Sequence, residues 1–129
     1  MKLLQRAKKS LGQNFLIDNN IIKKIVEIGN INKNNTVMEI GAGYGNLTKT
    51  IASAGPKKIF AIEKDNKLVS LLKKKFKNNN NIKIIDRDIL NIIEENKLEQ
   101  NVIVFGNLPY NVSTKILASL ILLKKWPPW

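Results

Sequence analysis

The sequence predicts an α/β fold, a doubly wound and mostly parallel sheet, on three observations. Four short apolar runs, at 36–40, 59–62, 82–85 and 102–105, are rich in the β-branched residues that suit buried strands. Each is followed by a segment with helical apolar spacing, and strand-helix alternation builds parallel sheets through crossover helices. The turn after the first run holds Gly41-Ala42-Gly43-Tyr44-Gly45, and glycines in a strand-to-helix turn let backbone amides approach a ligand closely.

Taken in order, residues 1–9 form a basic arm carrying Lys2, Arg6, Lys8 and Lys9, followed by Ser10-Leu11-Gly12-Gln13-Asn14-Phe15-Leu16. Two amides and a glycine between apolar anchors make a poor helix and a poor strand, so this stretch is a candidate binding loop, and 1–17 reads as a unit apart from 18–129. Asp18 caps a helix with Ile21, Ile22, Ile25 and Val26 on one face, ended by Gly29. After the first strand, Asn46 is the expected cap of a helix over 47–54 that Gly55-Pro56 stops. The second strand ends in Glu63. Asp65 then caps a helix with Leu68, Leu71, Leu72 and Phe76 inward and Lys73, Lys74, Lys75 and Lys77 on a solvated face. Beyond the third strand, Asp86 or Asp88 can cap a short helix near 91–95, and beyond the fourth, Ser113 caps a helix with Ile116, Leu117, Leu120 and Ile121 inward. In a sheet ordered 3-2-1-4 the fourth strand is an edge whose backbone ladder is open to pairing. The chain therefore reads as the N-terminal part of a longer protein.

Composition narrows the chemistry. The 129 residues are 43% hydrophobic and 25% charged, the balance of one water-facing domain. Without cysteine there are no disulfides or thiolate metal sites, and without histidine the commonest metal ligand and general base are missing. Zinc enzymes and Ser-His or Cys-His hydrolases are thereby excluded, and no metal is expected. Met1-Lys2-Leu3-Leu4 does not resemble a secretory signal, and the longest apolar run, 116–123, is too short to span a bilayer, so a cytoplasmic location and no membrane partner are expected. The net charge of +12 fits a polyanionic partner, above all nucleic acid. Yet only Arg6 and Arg87 are arginines, and the excess of Lys, Asn and Ile also follows from AT-rich codon usage.

Four places carry candidate chemistry. The glycine turn reads G-x-G-x-G, not the G-x-G-x-x-G of dinucleotide folds, and this shorter spacing resembles that of S-adenosylmethionine sites in methyltransferases. Glu63, 22 positions after Gly41, is placed to accept from the two hydroxyls of a cofactor ribose. Asp88, followed by Ile89 and Leu90, suits the exocyclic amine of a cofactor adenine, or else caps the next helix. Last, Gly106-Asn107-Leu108-Pro109-Tyr110-Asn111 follows the fourth strand. The Asn107 side-chain oxygen and the Leu108 carbonyl can accept hydrogen bonds from an adenine amine, freeing its delocalised lone pair. Pro109 stiffens the turn and Tyr110 offers a stacking face. Taken alone, the same residues are also an ordinary capped turn.

Together, Lys9-Ser10-Leu11-Gly12-Gln13-Asn14-Phe15-Leu16, Glu39-Ile40-Gly41-Ala42-Gly43-Tyr44-Gly45, Glu63, Asp88 and 106–111 resemble, in order and spacing, the ribosomal RNA adenine dimethyltransferase family of the KsgA type. The resemblance implies a Rossmann-like, class I S-adenosylmethionine-dependent methyltransferase fold. It implies dimethylation of adjacent adenines near the 3′ end of small-subunit ribosomal RNA, and a part in ribosome biogenesis. By motif, Asn14, Leu16, Gly41, Gly43, Glu63, Asp88 and Asn107 would contact S-adenosylmethionine, and Asn107, Leu108, Pro109 and Tyr110 would hold the target base. The partner implied is ribosomal RNA within a small-subunit precursor, met by a monomer. The family continues with further strands and a small helical domain. Rival readings are a large-subunit ribosomal RNA methyltransferase conferring antibiotic resistance, against which Leu108 and Leu16 lean, and a non-catalytic RNA-binding assembly factor, against which Asn107 and Tyr110 argue. A nicotinamide oxidoreductase is undercut by the glycine spacing.

Overall fold

The structure, a computed structural model, describes residues 18–95, 97 and 101–106. In chain order it contains α1 (Asn19–Ile28), β1 (Thr36–Ile40), α2 (Asn46–Ser53), β2 (Lys58–Glu63), α3 (Asn66–Lys75), β3 (Ile82–Asp86), α4 (Ile89–Glu94) and β4 (Val102–Gly106). The strands form one parallel sheet in the order β3-β2-β1-β4, as expected. The basic arm, the loop at 10–16, the turn at 107–111 and the helix expected after Ser113 lie outside the described residues.

Local chemistry explains most boundaries. Asp18 is extended and its Oδ1 accepts from Asn20 N at 2.9 Å and Ile21 N at 3.3 Å, satisfying amides that have no partner inside α1. Asp65 does the same for α3, accepting from Lys67 N at 2.9 Å and Leu68 N at 3.4 Å. α2 departs from expectation. Gly45, in the left-handed region at φ 85°, holds the cap position and Asn46 is the first helical residue. The helix grows directly from the last glycine of the turn, which a capping side chain one residue later could not achieve.

Alternation along the strands divides the core between two faces. Val37, Ile59 and Phe105 meet Ile22 and Val26 of α1 and Leu47 and Ile51 of α2, while Ala61 meets Leu72 and Phe76 at the end of α3. On the opposite face Met38, Ile40, Ile62 and Val102 pack on Ile89, Ile92 and Ile93 of α4. Strands covered on both sides read as continuous apolar runs, which is why they were visible in the sequence. Two inward assignments fail: Ile21 is 48% exposed and Leu71 is 39% exposed. Each lies one residue, about 100° of helical rotation, before a buried neighbour, Ile22 or Leu72, and Val69 takes the inward place in α3. At the end of α1, Gly29 lies against β4, where a Cβ would stand 2.4 Å from Phe105 Cζ.

Candidate active site

The carboxyl ends of all four strands reach one edge of the sheet. Ile40 is in register with Ile62 on one side and Gly106 on the other, and Glu63 is in register with Asp86. From β1 the chain steps through β2 to β3, then returns to the other side of β1 as β4. The connection leaving β1 leads to β2 while β4 pairs on the other side of β1, and such a switch point opens a crevice beyond the strand ends.

The glycine turn borders this crevice with Gly41, Gly43 and Gly45 at φ 73°, 58° and 85°, conformations that side chains resist. It is tied to the sheet through β2: Gly41 N and Ala42 N donate to Ile62 O at 2.8 and 3.2 Å. Gly43 N donates to Glu63 Oε2 at 2.9 Å. Glu63 is buried, and its Oε1 accepts from Lys64 N at 2.9 Å and Asp65 N at 3.0 Å. A carboxylate has roughly four acceptor directions, so these backbone donors leave one on Oε2. The predicted ribose ligand is thus also the peg that holds the predicted cofactor turn.

Behind the turn lies an acid whose role the sequence did not disclose. Glu39, on the same face of β1, is buried and accepts a short hydrogen bond from the Thr48 hydroxyl of α2. Burial pushes its carboxyl up to about 8, the Thr48 hydrogen bond opposes that rise and the charge of Glu63 adds to it. At neutral pH Glu39 is largely uncharged, the form that a dry site tolerates. An acid inside an otherwise apolar strand was the available signal; its partner nine residues on was not.

Asp88 follows the capping alternative in part. Its Oδ1 accepts from Leu90 N at 3.0 Å and starts α4, while Oδ2 lies 3.8 Å from Lys64 Nζ. Ile89 is committed to the core and Leu90 is half-buried, so of the two apolar neighbours Leu90 is the one left to wall a ligand. The lysine run was read as a solvated face, but Lys75 Nζ donates to Tyr44 O at 2.8 Å across to the glycine turn. The described residues therefore bring together Gly41, Gly43 and Glu63, with Asp88 two residues beyond the neighbouring strand end. Asn14, Leu16, Asn107, Leu108, Pro109 and Tyr110 lie outside them.

Comparisons with known proteins extend this geometry. A family model described as "Ribosomal RNA adenine dimethylase" matches residues 4–126. A Pelagibacter ubique protein named "Ribosomal RNA small subunit methyltransferase A" is 54% identical over 117 residues, covering 91% of this chain and 44% of that protein. A Wolbachia pipientis protein of the same name is 43% identical over 116 residues, 89% of this chain and 44% of its own length. Among solved structures, the 23S rRNA methyltransferase ErmE superposes with a TM-score of 0.73 at 25% identity, covering 86% of this chain and 44% of that one. A dimethyladenosine transferase from Plasmodium falciparum gives 0.73 at 26% identity, covering 88% and 40%. The fold is that of class I S-adenosylmethionine-dependent methyltransferases. The chain spans less than half the length of the curated relatives it matches.

Proposed function

The chain belongs to the ribosomal RNA adenine dimethylase family, and from that premise we propose that it takes part in S-adenosylmethionine-dependent dimethylation of the exocyclic amines of adjacent adenines in small-subunit ribosomal RNA. The observation that carries the cofactor assignment is the hydrogen bond from Gly43 N to Glu63 Oε2. It joins the glycine turn to a buried carboxylate that keeps one acceptor direction, which fits a ribose hydroxyl.

In this reading Gly41 and Gly43 receive the cofactor backbone, Glu63 one ribose hydroxyl rather than the two the spacing predicted, and Asp88 the adenine, while Asn14, Leu16 and Asn107 complete the enclosure. When bound, S-adenosylmethionine supplies an electrophilic methyl group on a sulfonium. The chain's own work is positional. The Asn107 side-chain oxygen and the Leu108 carbonyl accept from the target amine and draw its nitrogen toward tetrahedral geometry, Pro109 fixes their spacing and Tyr110 stacks on the unstacked base. No histidine is present to act as base, and none is required, because the amine loses its proton after attack to water. The basic arm at 1–17 steers phosphates, and 18–129 forms the N-terminal part of the catalytic domain. The small-subunit assignment is supported by the names of the curated relatives. Action in the cytoplasm, as a monomer on precursor subunits during ribosome biogenesis, belongs to the same proposal. No helix among the described residues is long and apolar enough to cross a membrane.

Calorimetric titration of S-adenosylmethionine into the chain, with circular dichroism to establish folding, tests the cofactor assignment. Saturable binding that Glu63→Ala weakens at least about tenfold is expected, since a hydrogen-bonded charged group contributes roughly 1.5–3 kcal/mol. A folded chain that binds nothing overturns the proposal.

A further inference from the structure

We propose that Lys75 is a positioning residue for the cofactor turn, its ammonium reaching from the last turn of α3 to fix the peptide between Tyr44 and Gly45 in the orientation that receives S-adenosylmethionine. This rests on the reading of residues 41–45 as the cofactor turn.

The peptide in question is held at both ends. Its oxygen accepts from Lys75 Nζ at 2.8 Å, and its N–H, that of Gly45, donates to Ala42 O at 2.9 Å. Such a peptide can flip with little steric resistance when glycine follows it, because both orientations place glycine in allowed backbone regions. A flip would break both bonds and turn the Tyr44 carbonyl around. It would also disturb α2, because Gly45 is the cap of that helix and its own oxygen accepts from Lys49 N at 2.9 Å. The turn's ties to β2, through Ile62 O and Glu63, act on Gly41, Ala42 and Gly43.

The end of α3 is fixed where this contact requires it. A Cβ on Gly45 would stand 2.7 Å from Phe76 Cε2 and 3.0 Å from Leu72 Cδ2, so the last turn of α3 lies directly on the glycine. Lys75 Nζ also stands 5.6 Å from the centre of the Phe76 ring, within cation–π range, which limits the rotamers it samples. Partial burial, and then the nearby charge of Lys49, lower the Lys75 pKa. Its neighbours in the run, Lys73, Lys74 and Lys77, are exposed and make no ion pair among the described residues. Lys75 is exposed like them and differs in its bond to Tyr44 O.

The test compares Lys75→Met, which keeps the stem and removes the donor, with Lys75→Arg, which keeps a donor, and with Lys74→Met as control, all in the full chain and with folding monitored by circular dichroism. Without cofactor, amide hydrogen exchange at residues 43–46 is expected to accelerate in K75M alone while exchange in β1 and β2 stays unchanged. The dissociation constant for S-adenosylmethionine is expected to rise about three- to tenfold in K75M, the range for one hydrogen bond, and to return toward the wild-type value in K75R. Wild-type exchange and affinity in K75M overturn the inference. So do faster exchange with unchanged affinity, a loss that K75R does not restore, and equal losses in K74M. Failure of the wild-type chain to bind S-adenosylmethionine overturns the proposed function instead, and the exchange comparison alone then decides whether Lys75 holds the turn.

Discussion

Replacing Gly45 by alanine sets two costs against the same residue. At φ 85° an L side chain is strained, by about 1–2 kcal/mol. The new Cβ would also stand 2.7 Å from Phe76 Cε2, 3.0 Å from Phe76 Cζ and 3.0 Å from Leu72 Cδ2. Phe76 and Leu72 are buried and cannot swing away freely, so overpacking adds roughly 1–3 kcal/mol. The sum, about 2–5 kcal/mol, is a large share of the ~5–15 kcal/mol available to a typical domain. Gly55 provides the control: its φ is 75° but nothing lies within 4 Å of its Cβ position, so G55A carries only the strain, about 1–2 kcal/mol. Urea denaturation followed by circular dichroism measures both, and G45A is expected to exceed G55A by at least about 1 kcal/mol. Equal losses would refute the contact of α3 with the turn, and with it the account of how residues 41–45 are held.

Glu39 makes stability depend on pH in an unusual direction. Its carboxyl lies near 4.5 when unfolded and is pushed up to about 8 in the fold, so the folded state holds a proton that the unfolded state releases between those values. Stability therefore falls as pH rises through that window, by up to about 1.4 kcal/mol per unit, and urea midpoints at pH 5 and 7 should show it in the wild type and lose it in Glu39→Gln. Glu95, held down to about 2 by hydrogen bonds from Arg87 and Lys97, titrates below this window and does not mask the effect. Asn107→Ala is expected to abolish methyl transfer to ribosomal RNA, by at least about a hundredfold for loss of one acceptor aimed at the transition state, while the circular dichroism spectrum is preserved; retained transfer would discard the amine-polarising role of Asn107.

Much of the fold was legible because its signals are local. Thr36–Ile40 matches the expected first strand, Asp18 and Asp65 cap the helices expected of them, and the parallel sheet follows from the alternation of strands and helices. The errors arise where tertiary geometry overrides a local preference. Asn46 is a good capping residue, yet the helix begins from Gly45 because the turn needs a left-handed residue there and the following amides are already turned into α2. Leu71 has the right spacing for a buried face, but it is Val69 that is buried. The site divides in the same way. Gly41, Gly43 and Glu63 were singled out by spacing along the chain as cofactor ligands, and the structure adds a hydrogen bond between two of them. Thr48 on Glu39 and Lys75 on Tyr44 are contacts between different elements, made by residue types that look ordinary where they stand. Asp88 was open between ligand and cap in the sequence, and its two oxygens now divide between Leu90 N and Lys64.

The strand order also sets a timetable for folding. β1 meets β2 across 22 residues, Thr36 to Lys58, and β2 meets β3 across 23, Ile59 to Ile82, whereas β1 meets β4 across 66, Thr36 to Val102. Tripling the loop raises the entropic cost of closure by about 1 kcal/mol, and contacts distant in sequence form more slowly. The three strands from β1 to β3, together with the helices between them, can assemble as a nucleus while β4 is still unattached. β4 also emerges after β1, β2 and β3 during synthesis. The glycine turn and Glu63 belong to the early part and β4 to the late part, an order that pulsed hydrogen-exchange labelling resolves strand by strand. A ligand seated beyond the carboxyl ends of β1 and β4 would, with β4 joining late, stabilise contacts made after the folding transition state, slowing the departure of β4 rather than hastening its arrival.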